Sequence, residues 1–171
     1  IDSDGESLCS GNRFCRHFVA SIVLAIVTVV VAHGFACLRT EAAFQRLFYD
    51  WRIAGNFTDR VIKTRTVETA REEVVRLAGR TTCHPDQVRE VARICLSWSL
   101  DTTLPIDLRM ALADRALQFS LTAVKTAPSD YLAWSRCSQA LAVQGRWKDS
   151  ELFEQRAAEL LRSVDYESVE E

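Results

Sequence analysis

The segment Phe18–Leu38 constrains the fold of this chain most strongly, because it contains no Asp, Glu, Lys or Arg. As an α-helix it would extend about 31 Å, close to the roughly 30 Å hydrocarbon thickness of a bilayer. Many of its residues are β-branched, which weakens a helix in water, but in lipid the backbone must satisfy its own hydrogen bonds. We therefore predict one transmembrane helix over residues 17–38.

Two other interpretations of this segment remain. A buried core helix of a soluble protein is disfavoured by the unbroken length of the apolar run. A cleaved signal peptide would place Arg13 and Arg16 in its basic region and cleavage at Ala32-His33-Gly34. The stretch Gly34-Phe35-Ala36-Cys37 also resembles a bacterial lipoprotein cleavage box, although Gly34 stands where Leu is usual. As a span or as a signal, the segment places the chain at a membrane.

The residues around the segment leave its orientation open. Residues 1–16 are short and polar, and we expect a disordered tail there. Arginines flank the apolar run on both sides, so the positive-inside rule does not choose between the two orientations. A short tail followed by one span and a folded domain most often leaves that domain outside the cytoplasm. We therefore expect a single-pass protein of a bacterial inner membrane with a periplasmic helical domain.

Composition argues against nucleic-acid binding and against a metal centre. The net charge is −2, and no strongly basic domain is present. The six cysteines form no CxxC or other metal-ligand spacing. We therefore expect no nucleic-acid partner, no metal and no cofactor.

Catalytic motifs are absent from the sequence. There is no GxSxG, no HExxH, no phosphate-binding glycine loop and no dinucleotide fingerprint. Cys83 and His84 are adjacent, which places their side chains poorly for a nucleophile–base pair. We therefore predict that the protein is not an enzyme.

Aromatic residues dominate one helical face of the segment after the span. Phe44, Leu47, Phe48 and Trp51 recur at i, i+3, i+4 and i+7. The pattern predicts a juxtamembrane amphipathic helix over residues 39–57, ended by Gly55-Asn56. Phe44, Phe48 and Trp51 would either lie in the aromatic belt of the membrane interface or pack on the domain that follows.

Residues 58–163 carry only helical periodicity, so the predicted fold class is all-α, with an acidic tail over residues 164–171. Asp107 is a candidate N-cap of a long helix, and Gly145 predicts a tight turn. The stripes expected to face the core are Val67, Ala70, Val74 and Leu77; Val88, Val91, Cys95 and Trp98; Leu112, Ala116, Phe119 and Ala123; Trp134, Cys137 and Leu141; and Phe153, Ala157, Leu160 and Leu161.

A repeat of about thirty-four residues is visible near the C-terminus. It superimposes Ala116 on Ser150, Phe119 on Phe153 and Ala123 on Ala157. The stretch from Pro128 to Leu161 resembles a tetratricopeptide repeat, in which antiparallel helices pack closely through small residues. The positions that carry the resemblance are Trp134, Gly145, Trp147, Ser150 and Ala157, with Pro128 at the end of the preceding repeat. Cys137 and Ser138 depart from the usual Leu-Gly pair, and the preceding repeat is degenerate.

The resemblance implies a helical-hairpin solenoid that binds partner proteins on the face built by the first helix of each pair. Carried onto this chain, the partner groove is Leu132, Ser135, Gln139 and Ala142. Two repeats bury little surface, so the Val67–Leu77 helix, self-association as a homo-oligomer or a partner would supply the rest. By analogy, proteins of this build accompany envelope-polysaccharide assembly or large membrane complexes.

Two functions therefore remain open on the sequence alone. The first is a membrane-anchored, non-catalytic scaffold that docks or orients proteins of a membrane complex at the bilayer. The second is a small accessory subunit of an integral membrane complex, where the span makes the main contacts through small residues such as Ala25, Ala32 and Gly34.

Overall fold

A computed structural model describes residues 7–78 and 84–167, and the side chains of residues 18–78 and 84–163. Within those residues the chain is entirely helical, with no strand. The helices are α1 (Ser7–Ala54), α2 (Arg60–Ala78), α3 (Pro85–Leu100), α4 (Ile106–Thr126), α5 (Tyr131–Val143) and α6 (Trp147–Glu167). The predicted all-α class is confirmed for the described chain.

Helix α1 begins at Ser7, within the segment predicted as a disordered tail, so part of that tail is helical; residues 1–6 lie outside the described chain. The part of the predicted acidic tail after Glu167 also lies outside it. The chain divides into two compact units, Ile1–Arg39 and Thr40–Glu171.

The apolar run of α1 is exposed along its length. The stretch Phe18–Ala54 is long and apolar enough to cross a membrane, with a mean hydropathy of 2.4 in its most apolar window, none of which is buried in the protein. Leu24 and Leu38 are each 68% exposed. Because the core helix of a soluble protein would be mostly buried, this exposure leaves a membrane span or a signal sequence as the explanation of the run.

In the second unit, the C-terminal part of α1 joins the core. Leu47 and Ala54 are fully buried, and the helix ends where Gly55 and Asn56 donate backbone hydrogen bonds back to Trp51 and Ile53. The predicted end of the helix at Gly55-Asn56 is confirmed.

Helix α2 packs through the predicted stripe of Val67, Ala70, Val74 and Leu77, all buried. At its start, the Asp59 carboxylate accepts hydrogen bonds from the backbone N–H groups of Val61 and Ile62, which have no partner inside the helix.

Helices α3 to α6 pack as successive neighbours. Helix α3 lies against α4, α4 against α5 and α5 against α6; α3 also contacts α5, and α2 contacts α4. Their predicted core stripes are buried or half-buried with one exception, Leu161, which is 42% exposed. Leu161 follows the same face of α6 as Ser150 and Ala157, but it lies near the end of that helix, which has 21 residues against the 13 of α5, so the prediction that Leu161 joins the core is wrong.

The N-cap predicted for α4 is also wrong. Pro105 occupies that position with φ −56° and ψ 143°, and its carbonyl accepts the first helical hydrogen bond, from Arg109 N–H at 3.0 Å. Asp107 lies inside the first turn, where its charge is favourable at the positive end of the helix dipole.

Candidate docking face on α5

Helix α5 is fixed at both ends by local interactions. At its start, the Asp130 carboxylate accepts hydrogen bonds from the backbone N–H groups of Leu132 at 3.1 Å and Ala133 at 3.4 Å. At its end, Gly145 has φ 75°, its N–H bonds the Ala142 carbonyl, and Arg146 N–H bonds the Leu141 carbonyl at 2.9 Å. This pair of bonds is the Schellman motif, which needs a residue tolerant of positive φ. The face of α5 is therefore held rigidly.

The four predicted groove residues follow one another along α5. Leu132 is 46% exposed and Gln139 is exposed, whereas Ser135 and Ala142 are half-buried. The Gln139 side-chain amide donates a hydrogen bond to Ser135 Oγ at 3.3 Å. The structure thus brings these residues onto one accessible face of a single helix.

An arginine cluster, formed by Arg89 and Arg93 of α3 with Arg136 of α5, borders this face. Arg89 pairs with Asp130 at 3.3 Å, and Arg93 donates to Glu90 at 2.8 Å. Arg136 donates from Nη1 to the Arg89 carbonyl at 3.4 Å, and among the described residues it has no carboxylate within ion-pair distance. The sequence did not reveal this cluster, because its members belong to two helices separated by the whole of α4. The sequence does show acidic and basic residues spaced i,i+3 along α3, Asp86 with Arg89 and Glu90 with Arg93, but this spacing does not indicate Arg136.

The electrostatics of the cluster follow from partial burial. Desolvation lowers the pKa of Arg136; Asp130 and Glu90 oppose that shift, and the nearby Arg93 and Arg89 add to it. Hydrogen bonds from Arg93 lower the pKa of Glu90 despite its burial. The Arg136 guanidinium and the Glu90 carboxylate are both charged at neutral pH. The half-buried Arg136 guanidinium therefore keeps N–H donors that can form hydrogen bonds to an anionic group.

The hairpin of α5 and α6 is held by small residues and one aromatic pair. Ser138 Oγ lies 3.0 Å from Ser150 Oγ and donates to the Glu154 carboxylate at 2.8 Å. The rings of Trp134 and Phe153 are 5.3 Å apart, and the Trp134 indole N–H donates to the Pro128 carbonyl. Small side chains let the two helices approach closely enough for these contacts.

The aromatic residues of α1 pack on the helical core in the second unit. Phe44, Phe48 and Trp51 are half-buried against it. Trp51 donates from its indole N–H to Ser97 Oγ at 2.9 Å, and the Arg93 guanidinium lies 4.2 Å from its ring centroid. This arrangement agrees with the interpretation that the three rings pack on the domain that follows the span. Their placement at a membrane interface stays a prediction.

No cluster of three or more His, Cys, Asp or Glu side chains that could hold a metal occurs among the described residues. Burial raises the pKa of the Cys95 thiol to about 12, so that thiol is protonated and unreactive at neutral pH. Cys83 lies outside the described residues.

Comparison of the chain with protein-family models, with curated proteins and with solved structures finds no match in any of the three. Over the part of the chain that it describes, the structure defines a broad class, an all-helical protein with one N-terminal helix long and apolar enough to span a membrane.

Proposed function

We propose that the chain is a membrane-anchored, non-catalytic scaffold that docks partner proteins on the α5 face. In this proposal Phe18–Leu38 spans the bilayer, and α3 to α6 form two helical hairpins of the tetratricopeptide type. Binding would raise the local concentration of the partner at the membrane and orient it.

The observation that carries this proposal is the combination of side chains on and beside α5. Leu132 offers exposed apolar surface, Gln139 offers an amide, and Arg136 offers N–H donors with no carboxylate partner among the described residues. A partner segment with an apolar anchor and a nearby acidic side chain would complement this set. The α3–α4 and α5–α6 packing and the buried Ser150 and Ala157 support the hairpin arrangement.

The second candidate is an accessory subunit held in a complex through its span. The observation that favours it is the exposure of the apolar run except at Ala36; the exposed residues include the small side chains Ala25 and Gly34. A Cβ added at Gly34 would meet no atom of the protein within 4 Å, so nothing within the chain requires a glycine there. Close approach of another transmembrane helix would require one.

The two candidates are separated by purification of the full chain from membranes in mild detergent, with quantitative mass spectrometry of the co-purifying proteins. Under the scaffold proposal, Leu132→Asp lowers partner recovery at least tenfold, while the chain stays in the membrane fraction. Replacement of Phe18–Leu38 by an all-leucine span leaves recovery unchanged. Lys148→Glu, an exposed charge change on α6, is the matched control and should be silent.

The opposite result identifies an accessory subunit. If the all-leucine span abolishes recovery and Leu132→Asp does not, the scaffold proposal fails.

A further inference from the structure

The C-terminal end of the apolar run carries a pair of metal-ligating side chains, His33 and Cys37. Both residues are exposed, and the His33 Nε2 and Cys37 Sγ atoms are 3.6 Å apart. The two residues are four positions apart on one helix, which places their side chains over the same patch of its surface. In the transmembrane arrangement proposed above, this patch faces lipid, where an ionisable side chain without a partner is costly.

The pair has the geometry of half a zinc site. Histidine nitrogen and cysteine sulfur are the usual ligands of structural zinc, at about 2.0–2.1 Å and about 2.3 Å from the metal. Tetrahedral angles at those bond lengths place the two ligand atoms about 3.6 Å apart. The observed distance from His33 Nε2 to Cys37 Sγ therefore lets one zinc ion bind both atoms. Two ligands spaced i,i+4 on a helix also hold the metal in helical zinc motifs.

A second copy of the chain is the source that we infer for the other two ligands. Structural zinc takes four ligands, and the described part of one chain holds no group of three or more His, Cys, Asp or Glu side chains that could bind a metal. Water is scarce beside lipid, so it does not complete the shell there. A parallel pair of these helices brings two histidines and two cysteines together around a two-fold axis. The two thiolates then cancel the charge of Zn²⁺, and a neutral site suits apolar surroundings.

The helix surface beside the pair allows such an approach. Gly34 follows His33 and is exposed, and an added Cβ there would meet no atom of the chain within 4 Å. Glycine at a contact lets two transmembrane helices come close together. Ile26 and Val30 continue the face of His33 towards the N-terminus, and they are 58% and 63% exposed. These two side chains would pack against their copies in the second helix.

We propose that two copies of the chain bind one Zn²⁺ ion between their transmembrane helices, through His33 and Cys37 of each copy. The inference rests on the proposed transmembrane placement of Phe18–Leu38 and does not involve the α5 face. A chain that recovers partners through α5 yet binds no zinc would therefore contradict this inference alone.

The test titrates Zn²⁺ into the full chain in detergent micelles, with a phosphine reductant present and a fluorescent chelator as competitor. One zinc ion per two chains should bind, with a dissociation constant of about 10⁻⁷ M or lower. Sedimentation velocity should show a dimer that EDTA dissociates. Co²⁺ in place of zinc should give the visible absorption of a tetrahedral site together with a thiolate charge-transfer band.

Substitution of either ligand gives the decisive comparison. Cys37→Ser and His33→Ala should each weaken zinc binding at least about a hundredfold and leave the chain monomeric, because each removes two of the four ligands of the dimer. Leu38→Ala is the matched control, since Leu38 is 68% exposed at the same end of the run and offers no ligand atom. Cys9→Ser combined with Cys15→Ser should bind zinc as the wild type does, which excludes the other two thiols of α1.

Three outcomes would overturn the proposal. One is zinc binding that begins only above about 10⁻⁵ M, or that neither ligand substitution weakens, which marks an adventitious ion only. Another is one zinc ion per chain without a dimer. The third is a dimer that survives EDTA, which would assign association to helix packing alone.

Discussion

Gly145 is the one residue with positive φ in the described chain, and its φ is 75°. An added Cβ at this position would meet no atom within 4 Å, so the cost of a side chain there comes from the backbone conformation alone. The turn it makes joins α5 to α6, so its backbone conformation is one of the determinants of the hairpin geometry.

We expect Gly145→Ala to lower the free energy of unfolding by about 1 kcal/mol, because an L side chain disfavours the left-handed region. Urea unfolding of the chain in detergent measures this. Gly55→Ala is the control, since that turn has no positive φ and the added Cβ would lie 3.7 Å from the nearest atom, an ordinary contact. Equal effects of the two substitutions would contradict the role assigned to Gly145.

Asp101, which caps the C-terminus of α3, is a residue whose charge makes stability depend on pH. Burial acts to raise its pKa, but hydrogen bonds from Lys63 and Thr103 and the charge of Lys63 outweigh burial, and the pKa is lowered below 3.8. Because the folded-state pKa is depressed, the stabilisation is present above the unfolded value and is lost as pH falls through the folded value.

The difference in unfolding free energy between the wild type and Asp101→Asn should therefore be constant above about pH 5 and shrink steadily below pH 3.8. Urea titrations at pH 6 and at pH 3 measure it. In a Lys63→Met background the same difference should be smaller and should vary less with pH, because the ion pair is gone. A difference that grows on acidification would contradict the assigned direction.

At the scale of single helices, the local sequence pattern predicted most of the buried stripes and several of the helix ends. The buried stripe from Val67 to Leu77 depends only on the 3.6-residue period, and the helix ends at Gly55-Asn56 and Gly145 depend on the backbone preferences of those residues. Asp107 failed as a cap because proline also begins a helix well, and composition alone does not choose between neighbouring candidates.

Contacts between different helices could not be predicted from the local sequence pattern. The resemblance to a tetratricopeptide repeat placed Leu132 and Gln139 on one face, but the arginine cluster beside that face forms only when α3 and α5 come together. The contact of Arg93 with Trp51 likewise joins residues far apart in sequence. Leu161 was misplaced because α6 is longer than α5, and the helical period does not say how far along a helix its neighbour covers it.

Trp51 connects the end of α1 to α3 through its contacts with Ser97 and Arg93, so its substitution tests how much this connection between two helices stabilises the fold. Trp51→Ala removes a ring held by Ser97, by Arg93 and by the Phe48 ring at 5.6 Å, and should cost about 2–3 kcal/mol of unfolding free energy. Tyr49→Ala is the matched control on the same helix; with Tyr49 63% exposed, its effect should stay within about 0.5 kcal/mol.

Thermal unfolding followed by circular dichroism at 222 nm compares the two variants. A similar loss of stability in Trp51→Ala and Tyr49→Ala, or a loss seen only in lipid, would mean that the aromatic face of α1 contributes through contact with the membrane and not through the protein core.

At the scale of the whole molecule, every proposed function depends on where the apolar run resides. Arg16 and Arg39 flank it with no Lys or Arg between them, so trypsin releases the run as the single peptide 17–39. That peptide reports directly whether the chain found in membranes still carries its span.

The most direct measurement is therefore extraction of membranes with alkaline carbonate, followed by mass spectrometry of the tryptic peptides of the pelleted and the soluble protein. We predict that the chain stays in the pellet and that peptide 17–39 is recovered from it in the same molar amount as peptides of α4. A chain released into the supernatant with peptide 17–39 intact, or a mature chain that lacks this peptide, would contradict a transmembrane anchor.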